Sequence, residues 1–165
     1  MNINKPYKKL PNTDTHNCFA CSPINPSGLK MEFFTDEKTV FTELTVPDHL
    51  CGWNNVIHGG ILSTILDEVM SWTALYLVKR ITMTRSMTID FLKPVYIGDH
   101  LKAEGRIVDV PRQTSAVLEA VIYDPKGEPC AKSSGTLALF SPALAKRMKV
   151  MDQASLDWFE NVIAP

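Results

Sequence analysis

Val56-Ile57-His58-Gly59-Gly60-Ile61-Leu62-Ser63-Thr64-Ile65-Leu66-Asp67-Glu68-Val69-Met70-Ser71-Trp72 is the stretch whose reading decides the fold. Apolar residues fall on nearly every side of its helical pattern, as in a helix buried within a domain rather than laid on its surface. Ser63, Asp67 and Ser71 nevertheless recur at four-residue spacing, so a narrow polar line runs along one face. Burying a carboxylate on such a helix is unfavourable without a partner or a use.

Working outward, residues 28–35 and 39–46 read as strands joined by the turn Asp36-Glu37-Lys38, and residues 47–55 read as a loop. The helix is predicted from His58 to Arg80, with Lys79 and Arg80 complementing its C-terminal dipole. Four further segments read as strands: 81–93, 99–110, 113–124 and 129–140. They are broken at Pro94 and Gly98, at Pro111, and at the hairpin turn Asp124-Pro125-Lys126-Gly127. Short turns join antiparallel neighbours, so these four strands are predicted to form one meander. A helix apolar on nearly all sides needs cover on nearly all sides. A curved antiparallel sheet wrapped around one long central helix supplies much of that in an α+β fold, and a second copy supplies the rest. The expected organisation is an N-terminal arm over 1–28, a domain over 29–140 and an amphipathic helical tail over 141–165. That tail is expected to pack on its own domain or on a partner subunit.

The 165 residues and 18.4 kDa suit one domain with a real core. A formal net charge of -1 makes no electrostatic case for nucleic acid or an anionic membrane surface. The central run is interrupted by Ser, Thr, Asp and Glu, so no transmembrane helix is expected. Lys5, Lys8 and Lys9 are followed by no apolar core, which argues against a secretory signal. Cys18, Cys21, Cys51 and Cys130 are too few and too scattered for a disulfide scaffold, and a reducing cytoplasm is the expected setting. Cys18-Phe19-Ala20-Cys21 has the spacing of half a zinc site, yet no second closely spaced pair follows. Only His16, His49 and Cys51 are nearby, so the pair is read as free thiols packed under the arm.

The predicted element order, with His-Gly-Gly at the head of the wrapped helix, resembles the hotdog fold. Within it the chain is similar to the PaaI-type acyl-CoA thioesterases. The likeness is carried by residues 56–68 (VIHGGILSTILDE), by 84–94 (TRSMTIDFLKP), and by Cys18-Phe19-Ala20-Cys21 with Asn25-Pro26-Ser27-Gly28-Leu29. It implies an acyl-CoA substrate, no metal or cofactor, and a homodimer or dimer of dimers. It places Asp67 at the catalytic carboxylate, Thr84 at the Ser/Thr that helps hold water or substrate, and Gly60 at the backbone amide donor. Where many relatives carry Asn or Gln six residues before the His, this chain has Gly52; Asn54 or Asn55 is the expected stand-in.

The residues themselves support that chemistry. Free amides in a helix's first turn point outward with the positive dipole end behind them, and Gly59 and Gly60 let a ligand carbonyl approach. Asp67 either attacks the carbonyl or activates water; the alternative is a buried acid satisfied by Ser63 or Ser71. Glu68 points ~100° away from Asp67 and is expected in a supporting role, as in a salt bridge. His58 is either an acid–base group or a brace for the helix entry. Ser71 lies on the polar line, and Arg85 and Lys93 are candidates for the coenzyme A phosphates, ahead of Lys102 and Arg106. Met70, Trp72, Met83 and Met87 are candidates for an acyl tunnel as well as for plain core. Gly60 and Asp67 sit ~10 Å apart along one axis, too far to serve one carbonyl, so the site is expected to be shared between two antiparallel copies of the helix. The rival readings are a hotdog hydratase or dehydratase, disfavoured by the lack of a second His nearby, and a non-catalytic acyl-CoA or acyl-carrier binding domain.

Overall fold

A computed structural model describes residues 7–164; the first six residues of the predicted arm and Pro165 of the predicted tail lie outside that range. The apolar run folds as α1 (Gly59–Thr73), continued by a π-turn over Ala74–Val78 and stopped at Lys79, whose φ of 58° is left-handed. Around it lie β1 (Lys8–Lys9), β2 (Phe34–Thr35), β3 (Val40–Thr45), β4 (Ile81–Phe91), β5 (His100–Arg112), β6 (Ser115–Tyr123) and β7 (Pro129–Phe140). All seven strands form one antiparallel sheet in the order β1-β2-β3-β5-β6-β7-β4, curved around α1 as in the hotdog fold.

The single meander expected for the last four strands does not form. β5, β6 and β7 follow one another, but β4 lies beyond β7, paired from Ile81↔Phe140 to Phe91↔Ala131. The connection out of β4 makes no tight hairpin because its backbone is committed elsewhere. Leu92 N–H donates to Cys130 O, Ile57 N–H to Val95 O, and Ile97 N–H to Asn55 O. These bonds tie it to β7 and to the loop ahead of α1 and carry the chain across to β5.

The first predicted strand is also shorter than its alternation implies. Residues 28–33 bond to the arm instead of to β3: Leu29 N–H donates to Phe19 O and Met31 N–H to Ala20 O, with Lys30 at φ 52° between them. The arm is therefore part of the packed structure, with Leu10, Ala20 and Cys21 buried in the core.

From α1, Leu62, Ile65, Leu66, Val69 and Met70 bury against Leu101, Ala103, Leu118, Ala120, Ile122 and Leu137 of the sheet. Contact is closest at Gly105, where a Cβ would run into Thr73 Oγ1 and come within 3.0 Å of Val69 O. Contrary to expectation, the helix and its π-turn (Gly59–Val78, 20 residues) are long and apolar enough by composition to span a bilayer. Half of its most apolar stretch is buried inside the protein, the environment its composition answers here. The tail forms α2 (Pro142–Arg147), α3 (Gln153–Trp158) and a π-turn over Phe159–Ile163. It packs on its own domain: Leu156, Phe159 and Ile163 are buried, Trp158 meets Trp72 edge-on at 6.0 Å, and Lys79 Nζ donates to Ile163 O.

Candidate active site

The structure answers the question of what the Asp67 carboxylate does on a buried helix. Thr84 Oγ1, on β4, donates to Asp67 Oδ1 at 2.5 Å, the short range of a hydroxyl on a carboxylate. Ser63 is not its partner, since Ser63 Oγ donates to Gly59 O at 2.8 Å. The pairing depends on a bulge: Thr84 opposes Leu137 and Ser86 opposes Thr136, leaving Arg85 as the extra residue. In the burial pattern, Thr82 and Thr84 turn toward the helix before the bulge, and Met87 and Ile89 after it. Without the bulge, the odd spacing from Thr84 to Met87 and Ile89 would put them on the opposite face from Thr84.

Nine residues before Asp67, at the head of the helix, His58 is the N-cap. Its Nδ1 accepts the Gly60 N–H at 2.9 Å, and a Cβ on Gly60 would lie 3.0 Å from that same nitrogen. So the amide assigned to the substrate carbonyl is held by the His58 ring, and the second glycine gives that ring its room. Gly59 sits at the same open helix end, facing Phe91. Together with Cys51, Gly52, Trp53 and Val56, His58 and Gly59 line a cleft of about 580 Å³. Gly52 packs on His58, where a Cβ would come 3.3 Å from His58 Cα. Asn55 is exposed and its carbonyl accepts from Ile97 N–H.

Of the two cations proposed for phosphate, Arg85 is exposed at the bulge. Lys93 is engaged by Asp124 at 2.8 Å and Glu128 at 2.7 Å, and its pKa is raised by those two carboxylates. Arg106 is likewise paired, with Glu119 at 2.6 Å.

The sequence reading missed the surroundings of Glu68. No salt bridge forms there among the described residues. Instead Trp72 Nε1–H donates to Glu68 Oε1 at 3.2 Å, and Cys18 Sγ approaches the same oxygen at 3.9 Å. Burial of the carboxylate, then repulsion from Cys18, pushes the Glu68 pKa up to about 7. The two thiols are divided: hydrogen bonding from Cys21 holds Cys18 low, and the same contact with burial raises Cys21. The C-x-x-C was the available signal, but nothing in sequence says which helix residue it meets. Both thiols, Glu68, Ser71, Thr82 and Met83 border a second cavity of about 550 Å³, floored by Trp72 and Trp158. The helix thus has a cleft at its head and another cavity beside its middle.

Known proteins share this fold. The model of the thioesterase superfamily matches residues 54–131, which include α1, Asp67 and Thr84. The E. coli PaaI protein from the phenylacetic acid degradation operon superposes with a TM-score of 0.62 at 21% identity, covering 68% of this chain and 81% of that one. The smu.793 protein of Streptococcus mutans, solved bound to acetyl CoA, gives 0.63 at 23% identity over 67% and 89%. A hypothetical thioesterase of Streptococcus pneumoniae, solved with coenzyme A, gives 0.59 at 22% over 64% and 80%. That protein was also solved with an aspartate, and separately a threonine, changed to alanine. Among curated proteins, verlamelin biosynthesis protein B of Lecanicillium sp is 23% identical, over 60% of this chain and 55% of its own. The chain thus spans about half the length of that relative.

Proposed function

We propose that this chain, a hotdog-fold member of the thioesterase superfamily, hydrolyses acyl-CoA thioesters to a free acid and CoA. The observation that carries the proposal is the Asp67–Thr84 hydrogen bond, which holds a carboxylate ready at the sheet's edge strand. A carboxylate oriented by a hydroxyl can hold a water against a thioester carbon, or attack that carbon itself, and the hydroxyl can pass its hydrogen bond to the water. The open end of α1 supplies the other half. The thioester carbonyl displaces the His58 ring and takes the Gly60 N–H, where the helix dipole favours developing negative charge. The coenzyme A-bound structures of similar proteins support the choice of substrate class.

One chain does not bring these halves together, since seven helical residues separate them by ~10 Å. β4 is an edge strand, eleven residues long, with Met83 and Phe91 exposed on it and Leu92 exposed just beyond its end. A free apolar edge of that length is a surface that a second copy covers well. We therefore place the complete site in a dimer, Asp67 and Thr84 of one protomer facing the helix head of the other. Arg85, exposed beside Thr84, is the cation we assign to the coenzyme A phosphates; Lys93 would first have to leave its two carboxylates.

The test is release of free thiol from acetyl-, medium-chain, long-chain and aryl-acyl-CoA, with Asp67→Ala in parallel. Turnover of at least one class by the wild type and its loss in Asp67→Ala supports the proposal. Tight binding of acyl-CoA without turnover of any class replaces it with a non-catalytic acyl-CoA-binding domain.

A further inference from the structure

We propose that Cys18, Cys21 and Glu68 form a binding site for a thiophilic divalent cation of the zinc type, fastening the N-terminal arm to the central helix. Their three ligand atoms, two sulfurs and a carboxylate oxygen, all lie within 4.8 Å of one another. Around a tetrahedral zinc the thiolate sulfurs stand ~3.8 Å apart, so a closure on the order of an ångström brings the sulfurs to that spacing. These residues reach each other across fifty positions of sequence, from a loop and from the middle of α1.

Three features of the surroundings favour a cation over accidental proximity. The first is the loop. Cys18-Phe19-Ala20-Cys21 turns so that both sulfurs come to the Glu68 carboxylate. That loop is pinned by Ser22 N–H on Cys18 O at 3.0 Å and Ser22 Oγ–H on His16 O at 2.7 Å. Gly28 also packs against Phe19 O where a Cβ would lie 2.6 Å away.

The second is charge. Two thiols and a carboxyl converge, and among the described residues the Trp72 indole is the one nitrogen donor on Glu68. No Lys or Arg among the described residues forms an ion pair with Glu68. Acids gathered in a partly buried place are stabilised by protons or by a cation. His16 flanks the group, but its Nδ1 accepts from Cys18 N–H at 3.3 Å and its Nε2 contacts Asn12 Oδ1 at 3.1 Å. It therefore reads as a loop brace rather than a fourth ligand.

The third is access. The cluster borders the 550 Å³ cavity, so three protein ligands leave the fourth position of a tetrahedral ion facing that space. On binding, each thiol gives its proton to solvent and the carboxylate contributes one oxygen; no redox step is involved. Because Glu68 adjoins Asp67, an ion there would set the rotation of this part of α1 and the edge of the cavity.

The experiment uses the full chain, reduced with a phosphine and stripped of metal, titrated with Co2+ and then Zn2+. One Co2+ per chain is expected, giving near-ultraviolet sulfur-to-cobalt charge transfer and the visible bands of a tetrahedral ion, all bleached by one equivalent of Zn2+. Cys18→Ser and Cys21→Ser should each abolish the charge-transfer bands or cut Co2+ affinity at least tenfold, and Glu68→Gln should weaken binding at least tenfold. Cys51→Ser and Cys130→Ser should leave binding unchanged. Circular dichroism of each variant separates lost ligation from lost fold, and the wild-type titration stands without any variant. Absence of the bands in folded, reduced wild type overturns the proposal. So does their retention in the Cys18→Ser, Cys21→Ser double variant. A chain two hydrogens lighter that takes up metal neither before nor after reduction assigns the pair to disulfide chemistry instead.

Discussion

At the scale of single residues, three side chains divide the proposed work. Asp67 carries the reactive oxygen, so Asp67→Ala should lower kcat on the preferred acyl-CoA by ~10²–10⁴, measured by thiol release. Thr84 orients it through one hydrogen bond to a charged group, an interaction of ~1.5–3 kcal/mol. Thr84→Val should therefore reduce kcat ~10–100-fold while Thr84→Ser keeps most of the rate, since only the hydroxyl matters. If the valine variant is as fast as wild type, Thr84 is a strand residue and no more. His58 behaves differently because its ring caps α1 through Gly60. Loss of such a cap costs ~1 kcal/mol, which urea unfolding of His58→Ala should read as a lower midpoint. In the same variant kcat should stay within a fewfold of wild type, because the Gly60 amide is then free for the carbonyl. A collapse of kcat at unchanged fold would make His58 an acid–base group.

At the scale of elements, β4 has most to say. Its bulge at Arg85 turns Thr84 to the helix and returns Met87 and Ile89 to the same side, so one inserted residue reconciles a polar contact with apolar packing. The alternation of residues 81–93 shows a strand, but a bulge leaves no mark in composition. The edge position of β4 was likewise misjudged: short turns favour sequential neighbours, and the backbone bonds of Val95 and Ile97 to the α1 loop override that preference. β5 shows the reverse economy. Gly105 lies where α1 presses closest, and a methyl there meets Thr73 Oγ1 and the Val69 carbonyl rather than a yielding side-chain tip. Gly105→Ala should destabilise the domain by ~1–3 kcal/mol in urea unfolding with little change in m. A neutral result would mean that helix and sheet slide apart freely, contrary to the packing described.

At the scale of the whole molecule, the proposed shared site requires a second copy. Light scattering should find a dimer or a multiple of it, and Met83→Lys on the β4 edge should shift it toward a monomer that keeps its helix content and loses turnover. A fully active monomer would end the shared-site proposal. How much of this was legible follows from the range of each interaction. Val56 to Trp72 announces a helix that must be wrapped, because a helix apolar on all sides has no stable place at a surface, and the antiparallel sheet follows from the short turns around it. Ser63, Asp67 and Ser71 mark one polar line because helical period is local geometry. The sequence by itself thus determined the central helix, the sheet that encloses it and the awkward carboxylate. Only the tertiary structure decided that Thr84 rather than Ser63 holds that carboxylate, that His58 takes the Gly60 amide, and that Cys18 and Cys21 close on Glu68. Each of those depends on side-chain direction or on contacts between distant segments, set by strand order, a bulge and a pinned loop, and no local period encodes them.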